Sequence, residues 1–474
     1  MAIRSIRRTE WAFPRQVGDD AIVKCRKYKY CSSGYLNPAF TVRASDLQGN
    51  SYYIFTTNIT SIRPHHDIPS KPPPLPPPIT MAKVQGTCDP RFAKVKSVFQ
   101  SYLDSGEELG ASICVNLDGK EVVDLWGGYA DEARTRPWEK DTITCIWSSS
   151  KTICALATLL CIDRGLLDPN EKVCKYWPEF AANGKEGVEV RHFLSHASGV
   201  SGWEGPVTIE DVCDVEKSTK LLEQQAPWWE PGTANGYHGL TMGHLLGELI
   251  RRVTGKPMQE FIAEELSRPL AADFQLGVPE KEWHRVADII PPPQHQENME
   301  GMAIDTKSIM FKSMGINPGM DADWANQPVW RGSVVGAANG YSNARALVRL
   351  MSVISLENPS FLSGKTLDQI FSTQQHAAQD LVIPMNVRLG LGFGLPAEGS
   401  IMADLPLGRA ATWGGWGGSR VIADADRKMT FGYVMNKMDA AGLGQTNEKG
   451  KGGMGNPRTS EFIATVYEAL GIVA

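Results

Sequence analysis

The stretch Ile146-Trp-Ser-Ser-Ser-Lys-Thr-Ile153, which runs directly into the apolar residues 154–162, decides the interpretation of this chain. Ser148 and Lys151 form an S-x-x-K pattern, and residues three apart on a helix lie on the same face. The run therefore predicts a buried helix that brings a lysine amine close to a serine hydroxyl. Because burial lowers the pKa of a lysine, Lys151 is expected to exchange a proton with a nucleophilic Ser148 near neutral pH. Backbone N–H groups at the start of the helix are expected to bind a developing oxyanion.

Other interpretations of this stretch stay open at the level of the pattern alone. S-x-x-K arises often by chance, and three consecutive serines also form a helix N-cap cluster. Ser149 and Ser150 are rival nucleophiles, although neither has a lysine three residues further on. Against a chance match, a lysine that precedes ten mostly apolar residues is costly to bury unless it has a partner or a function.

Two later stretches carry further candidate residues. The turn-rich loop Trp228-Trp-Glu-Pro-Gly-Thr-Ala-Asn-Gly-Tyr-His238 precedes a predicted helix over 241–253 and places Tyr237 at the junction. A buried tyrosine more often packs its ring and bonds a carbonyl than acts in catalysis. The stretch Thr412-Trp-Gly-Gly-Trp-Gly-Gly-Ser419 precedes a β-rich run, and its glycines allow backbone N–H groups to approach a ligand closely.

The sequence motifs of several other enzyme classes do not occur in this chain. The glycine-rich stretch is not followed by G-K-[ST], and neither H-E-x-x-H nor G-x-S-x-G occurs, so phosphate loops, zinc proteases and α/β-hydrolases are disfavoured. His192 and His196 are spaced to share a metal or to act as a base, but the Ser198-Gly199 that follows favours a structural role at a helix end. His238 either orients Tyr237 or lines the pocket. No metal and no cofactor are predicted.

The periodicity predicts an α/β (α+β) fold, with an antiparallel sheet flanked by N- and C-terminal helices plus a mostly helical domain. A helix begins at Asp89-Pro90, and apolar residues follow at helical spacing up to residue 103. The β-rich runs 111–116 and 120–126 form a predicted hairpin around Asp118-Gly119, and the runs 421–423 and 429–434 form another. Strands from both ends are expected to share one sheet. A helix is predicted over 460–470, and helical patterns fill 150–355.

Two domains are predicted from composition. Residues 1–80 carry 11 Lys/Arg against 5 Asp/Glu and form a basic N-terminal extension. It ends in Lys71-Pro-Pro-Pro-Leu-Pro-Pro-Pro78, which is either a stiff polyproline spacer, the favoured interpretation, or a docking segment. Residues 81–474 form the catalytic domain, with a sheet subdomain at about 83–145 and 380–474 and a helical subdomain at about 146–379. A glycine-rich surface loop is predicted over 440–457.

The overall composition limits the class of partner. A chain of 474 residues with 42% apolar residues buries a large core, and its net charge of -5 gives no sign of nucleic acid or an anionic membrane surface. A small and fairly neutral molecule fits better. Nine cysteines without a C-x-x-C pair indicate reduced thiols and a cytoplasmic location. The early arginines also permit a mitochondrial transit peptide. The longest apolar run is about half of the ~20 residues that span a bilayer, so no transmembrane helix is expected.

Taken in order, these motifs resemble the serine β-lactamase and penicillin-binding-protein superfamily, most closely its class C-like branch of family VIII carboxylesterases and transesterases. Leu194-Ser-His-Ala-Ser-Gly199 and Phe431-Gly-Tyr-Val-Met-Asn436 add to the match, which covers about residues 83–474. The resemblance implies that Ser148 is acylated, that Lys151 is its proton partner and that Tyr237 is the general base. It implies an oxyanion hole formed by the N–H groups of Ser148 and Trp416. The substrate-binding residues that it implies are Trp413, Gly414, Gly415, His238 and Trp229.

Two departures from the β-lactamase pattern bear on the substrate. Trp413 stands where β-lactamases have a lysine, and Gly239 stands where they commonly have asparagine. The resemblance therefore implies a small, largely apolar ester or thioester, with an acyl carrier as one candidate donor and with water or an alcohol as acceptor. An amide hydrolase, either a D-aminopeptidase or a weak β-lactamase, and a non-catalytic binding descendant stay as alternatives. Four tryptophans are candidates for a pocket wall or for the core: Trp147, Trp228, Trp229 and Trp416.

Overall fold

A computed structural model of the chain describes residues 82–292, 305–439 and 457–472, and the backbone of three short strands nearer the N-terminus. The chain divides into two compact units, Met1–Pro78 and Ile79–Ala474. The three short strands belong to the first unit and pair as an antiparallel sheet. The predicted proline-rich spacer lies outside the described residues, as does the predicted glycine-rich loop apart from Pro457. The predicted domain boundaries stay a prediction.

The regular elements are numbered in chain order. The strands are β1 (Ile22–Cys25), β2 (Val42–Ser45), β3 (Ser51–Tyr52), β4 (Gln85–Cys88), β5 (Gly110–Leu117), β6 (Lys120–Gly128), β7 (Thr144–Cys145), β8 (Phe274–Leu276), β9 (Gly340–Ser342), β10 (Gln375–Ala377), β11 (Val387–Leu389), β12 (Ala410–Gly414), β13 (Arg420–Asp424) and β14 (Met429–Met435). The helices are α1 (Ala93–Ser105), α2 (Ser150–Asp163), α3 (Val190–Leu194), α4 (Ile209–Cys213), α5 (Val215–Gln224), α6 (Thr241–Thr254), α7 (Met258–Ile262), α8 (Ile309–Met314), α9 (Pro328–Gly332), α10 (Ala344–Ser355), α11 (Gly364–Phe371) and α12 (Pro457–Ala469). Short 3₁₀ helices lie at Pro90–Phe92, Val173–Lys175, Pro178–Gly184, Glu280–Arg285 and Ala322–Asn326.

A six-stranded antiparallel sheet joins the two ends of the second unit, in the order β12-β13-β14-β5-β6-β4. β14 pairs with β5 and places Phe431 opposite Val115, so that strands from both ends share one sheet, as predicted. Asp118 and Gly119 both have positive φ at the turn between β5 and β6. This is the turn that an Asp-Gly pair favours in a two-residue hairpin, and the predicted hairpin is confirmed.

Helices cover both faces of this sheet. On β14 the ring of Tyr433 contacts Phe462 of α12, while Gly432 faces the backbone of Ala344 in α10, because successive residues of a strand point to opposite faces. α1 packs beside α12, and α2 lies against α10 and β12. The predicted mixed fold class is confirmed. α10 comes from the middle of the chain and packs on the sheet against β14 and β5.

A small three-stranded sheet, in the order β7-β9-β8, fixes the start of α2. The N–H of Ile146, just after β7, donates to the Gly340 carbonyl at 2.9 Å. The N–H of Gly340 in turn donates to Ser150 Oγ at 2.8 Å. α2 is buried from its first residue to Ile162, as its apolar sequence predicts. The residues before α2 are therefore held in place by β9.

Cysteines in the described part of the chain are free thiols: Cys88, Cys114, Cys145, Cys154, Cys161, Cys174 and Cys213. Burial raises the pKa of Cys145, Cys154 and Cys161 to about 12, so these thiols behave as small apolar side chains. None of the helices that the structure describes is both long and apolar enough to cross a membrane.

A buried ion pair joins α12 to the loop before β5. Arg458 Nη1 lies 3.2 Å from Glu108 Oε2, and the two side chains are 4% and 0% exposed. Tyr433 of β14 donates its hydroxyl to the same carboxylate. Glu108→Gln should leave the buried Arg458 charge with only the partly exposed Asp439 carboxylate, 3.8 Å away, and cost about 3 kcal/mol of unfolding free energy. The measurement is the midpoint of urea denaturation.

An exposed pair provides the matched control for this prediction. Arg349 Nε lies 2.9 Å from Glu121 Oε1, and both side chains are about one third exposed. Glu121→Gln should therefore cost less than about 1 kcal/mol, since water already screens that pair. Equal shifts of the urea midpoint in the two variants would contradict the prediction that the buried Glu108–Arg458 pair contributes more to the unfolding free energy than the exposed pair does.

Candidate active site

Ser148 lies in a tight turn directly before α2. The Lys151 N–H donates to the Ser148 carbonyl at 3.1 Å, which is the i to i+3 bond of a 3₁₀ turn. Trp147 has φ 48°, an uncommon conformation for a bulky residue, and its ring is packed between Trp330 and Trp416. Ser148 is half-buried, whereas its neighbours on both sides are buried. The turn thus presents the Ser148 side chain at the accessible end of a buried helix.

Lys151 is enclosed by three hydrogen-bond acceptors. Its side chain is buried, and Nζ donates to Ser148 Oγ at 3.1 Å, to the Gly239 carbonyl at 2.7 Å and to the Ala337 carbonyl at 2.9 Å. Burial lowers the pKa of Lys151, and the neighbouring Tyr237 opposes this shift. The contact between Lys151 and Ser148 agrees with the face that the S-x-x-K spacing predicts.

Tyr237 reaches the same serine from a distant part of the sequence. Its hydroxyl lies 2.7 Å from Ser148 Oγ, and Trp413 Nε1 donates to the Tyr237 oxygen at 3.4 Å. The rings of Tyr237 and Trp413 are stacked with centroids 5.4 Å apart, and Lys151 Nζ lies 4.8 Å from the Tyr237 ring centroid. Ser148, Lys151 and Tyr237 therefore form one contiguous cluster of hydroxyl, amine and phenol.

Two buried histidines, His196 and His238, lie next to Tyr237. His238 Nδ1 lies 2.6 Å from the Gly236 carbonyl and must donate to it, so Nε2 accepts from the Ser198 hydroxyl at 2.6 Å. His196 Nδ1 accepts the His238 N–H at 3.1 Å, and its ring lies 5.1 Å from that of Tyr237. Burial lowers the pKa of His238 to about 4 and that of His196 well below its usual value. Both rings are neutral at physiological pH.

Asp380 is a residue that sequence reasoning missed. Its Oδ1 accepts the backbone N–H groups of Tyr237 at 2.9 Å, of Val382 at 2.8 Å and of Ile383 at 2.9 Å. Its Oδ2 accepts from the Asn235 side chain. Burial raises the pKa of Asp380, and the three N–H donors oppose this shift. The carboxylate fixes the backbone at Tyr237, and its position in a loop without periodicity gave no signal in the sequence.

The glycine-rich stretch approaches the segment before Ser148 closely. A Cβ on Gly415 would lie 2.2 Å from the Ile146 carbonyl oxygen, so only glycine fits there. Ser419 Oγ donates to that carbonyl at 2.7 Å and lies 2.9 Å from Ser149 Oγ. Close packing and hydrogen bonds thus join the glycine-rich stretch to the segment that contains Ser148, and these two segments hold the predicted oxyanion donors. The donor roles of the Ser148 and Trp416 N–H groups stay a prediction.

The rival serines have structural partners. Ser150 Oγ donates to the Trp147 carbonyl at 2.5 Å and accepts the Gly340 N–H. Ser149 is fully buried against Ser419. Both hydroxyls are therefore occupied within the protein, and Ser148 is the serine of the three that is accessible.

The structure corrects part of the predicted substrate-binding set. His238 is fully buried, and its ring nitrogens are bonded to Gly236 and Ser198, so its ring lines no accessible surface. Trp147 is 1% exposed and belongs to the core. Trp413 lies against Tyr237, with Gly414 beside it at the end of β12. Trp229 and Trp416 are half-buried, so each keeps an accessible edge. Their contacts with substrate, and those of Gly414 and Gly415, stay predictions.

The possible metal pair is separated by the fold. His192 Nδ1 accepts the N–H of Glu189 at the start of α3, whereas His196 follows the end of that helix and faces Tyr237. In the described ranges, no group of three His, Cys, Asp or Glu side chains could hold a metal ion. The structural interpretation of His192 agrees with this geometry.

Comparison with known proteins gives a consistent result. The β-lactamase family profile matches residues 95–450. The esterase/β-lactamase LipL of Mycobacterium tuberculosis is 33% identical over 376 residues, which are 75% of this chain and 83% of LipL. The crystal structure of a family VIII carboxylesterase superposes with a TM-score of 0.71 and 34% identity over 82% of this chain and 100% of its own. A penicillin-binding-protein homologue from Caulobacter crescentus has a TM-score of 0.72 and 31% identity, with the same coverage of both chains.

These matches confirm the family that the ordered motifs indicated. The profile match covers five of the six strands of the large sheet, the helix α2 that follows Ser148 and the glycine-rich stretch. The chain belongs to the β-lactamase family, and it is a serine hydrolase of the β-lactamase and penicillin-binding-protein fold.

Proposed function

We propose that this protein hydrolyses or transfers the acyl group of a small, largely apolar ester or thioester through an acyl-enzyme on Ser148. The observation that carries the proposal is the position of Ser148 Oγ, 3.1 Å from Lys151 Nζ and 2.7 Å from the Tyr237 hydroxyl. A nucleophilic hydroxyl needs a base within hydrogen-bond reach, and two candidates meet that requirement here. The name of the family VIII carboxylesterase supports ester chemistry, and that of the esterase/β-lactamase LipL supports ester and lactam chemistry alike.

Tyr237 is the base in this mechanism, and Lys151 supports it. All three protons of a Lys151 ammonium are directed at acceptors, so the charged form is fully hydrogen-bonded. In the reactive state Tyr237 is a phenolate, whose negative charge the ammonium stabilises. Tyr237 takes the Ser148 proton while Oγ forms a bond to the carbonyl carbon of the substrate. The carbonyl oxygen becomes an oxyanion.

The oxyanion is bound by the backbone N–H groups of Ser148 and Trp416. Such donors favour the transition state because they are already oriented when negative charge develops. The contact of Gly415 with Ile146 and the Ser419 hydrogen bond to the same carbonyl support this assignment, since they bring the two segments together. Rigid placement of both donors is what an oxyanion hole requires.

Collapse of the tetrahedral intermediate breaks the bond to the alcohol or thiol, which takes its proton from Tyr237. Water or a second alcohol then attacks the acyl-enzyme, gives its proton to Tyr237 and releases the acyl group, with the proton returning to Ser148. The same site thus supports hydrolysis and acyl transfer. The acceptor that is present decides between them.

An ester fits this site better than a lactam. Trp413 occupies the position at which β-lactamases carry a lysine, and its ring is stacked on Tyr237. A tryptophan cannot supply the positive charge that a carboxylate-bearing drug requires. Acylation by benzylpenicillin at a rate similar to that of esters would favour the amide alternative.

We place the enzyme in the cytoplasm, where its buried free thiols stay reduced.

Ser148→Ala should lower kcat/KM for p-nitrophenyl butyrate by about 10⁴-fold or more, because the nucleophile itself is removed. Circular dichroism should match that of the wild-type protein. A fluorophosphonate probe should label the wild-type chain once, and peptide mapping should locate the label on Ser148. Labelling of Ser149 or Ser150, or activity of Ser148→Ala near the wild-type level, would refute the assignment.

Asp380→Asn should lower kcat about tenfold or more, because an amide cannot accept all the donors that the carboxylate gathers and Tyr237 shifts from its position. The pH–rate profile should change with it, since the base moves relative to Ser148. Asp163→Asn is the matched control. Asp163 also accepts several hydrogen bonds, from Ser363 and Thr366 at the start of α11. The kcat of the Asp163→Asn variant should stay within about twofold of the wild-type value. If kcat of Asp380→Asn falls only in proportion to the folded fraction, Asp380 has no positioning role.

A further inference from the structure

The segment that contains α8 packs directly on the loop that carries Tyr237. A Cβ on Gly239 would lie 2.6 Å from Met314 Sδ, so the thioether occupies the space that any side chain at 239 would need. The Gly239 carbonyl is one of the three acceptors of Lys151 Nζ. Met314 therefore contacts a residue that is hydrogen-bonded to Lys151, a member of the proposed catalytic cluster.

Three contacts hold α8 in this position. Ser313 Oγ lies 2.7 Å from Ser201 Oγ, and both side chains are buried. Lys312 Nζ lies 5.3 Å from the Trp228 ring centroid and 3.4 Å from Glu204 Oε1. Because these bonds join α8 to two separate loops, the position of Met314 beside Gly239 is determined by the fold.

Tyr237 and Trp413 belong to an apolar cluster that is distinct from the main core. Its buried members are Tyr237, Val382, Ile383, Val387, Leu389, Ile401, Met402 and Trp413. Ile309, Met314 and Met385 are partly buried at its edge. The phenol that contacts Ser148 is thus surrounded on its outer side by aliphatic and thioether groups. Because the Tyr237 hydroxyl lies 2.7 Å from Ser148 Oγ, this cluster borders the proposed nucleophile.

We propose that Met314 is a specificity-determining residue, whose thioether contacts an apolar chain of the ester substrate and sets the length of chain that fits. This inference rests on the proposed esterase activity. A methionine offers a flexible, polarisable surface with weak hydrogen-bonding capacity, which suits an alkyl chain. Because Gly239 has no side chain, the Met314 thioether packs against it, in the same space that the edge of the Tyr237 ring adjoins. The preferred substrates are therefore esters with an extended alkyl chain rather than acetate esters of methanol.

The test compares two series of esters across variants. One series keeps p-nitrophenol and lengthens the acyl chain from acetate to decanoate, and the other keeps acetate and lengthens the alcohol from methanol to octanol. Met314→Ala removes three heavy atoms and should raise the ratio of kcat/KM for long chains over short chains by about fivefold or more in one series, because the space that the thioether fills becomes open. The series that responds tells whether Met314 faces the acyl or the alcohol part.

Two further variants sharpen the test. Gly239→Ala should displace the thioether and shift the preference in the opposite direction, toward shorter chains. Met320→Ala is the matched control, because Met320 is also half-buried and lies in the same segment but packs on the main core. Its long-to-short ratio should stay within about twofold of the wild-type ratio.

The outcomes separate this inference from the proposed function. Parallel profiles of wild-type and Met314→Ala protein in both series, with Ser148 still labelled by fluorophosphonate, would overturn the role of Met314 and leave the esterase activity intact. A wild-type protein that hydrolyses no ester in either series and takes no label would overturn the proposed function, and the inference would fall with it.

Discussion

The burial of the Lys151 amine is the constraint on which the rest of the site depends. Moving a charged amine out of water costs several kcal/mol unless hydrogen bonds replace its hydration. Here the replacement comes from Ser148 Oγ and from the carbonyls of Gly239 and Ala337, which belong to three separate parts of the chain. Each of these parts must therefore converge on one nitrogen atom. The fold around α2 is organised to bring them there, because a single missing acceptor would leave the charge only partly compensated.

The convergence explains a close approach that is otherwise unusual. A Cβ on Gly243, in the first turn of α6, would lie 2.2 Å from the Ala337 backbone nitrogen. Without a side chain at 243, α6 comes close enough for the Ala337 carbonyl and the loop before α6 to reach the same amine. Gly239 likewise has no side chain, and the thioether of Met314 fills the space beside it. Both glycines serve the approach of elements to Lys151, and neither has a positive φ.

The sequence allowed the local parts of this arrangement to be predicted, and the reason is periodicity. The spacing of Ser148 and Lys151 is a property of one helix, so their contact follows from helical geometry. Tyr237 was identified only from the order of several motifs, since no local pattern links it to Ser148, 89 residues away. Asp380 and Met314 lie in irregular loops and short helices, where long-range packing fixes their positions and periodicity carries no information. The buried state of His238 was missed for the same reason.

The site thus separates into a polar inner side and an apolar outer side that share the Tyr237 ring. On the inner side, Lys151 satisfies carbonyl acceptors and leaves the Tyr237 oxygen directed at Ser148. On the outer side, Trp413 and the aliphatic cluster exclude water from the ring. In the proposed mechanism, exclusion of water strengthens the attraction between a Lys151 ammonium and a Tyr237 phenolate, because the effective dielectric constant falls. The buried members of this cluster carry no charge, which suits an uncharged substituent of a substrate. In the proposed mechanism one arrangement therefore both activates the phenol and favours an uncharged ester, so the proposed catalytic role of the site and its proposed selectivity have a common physical origin.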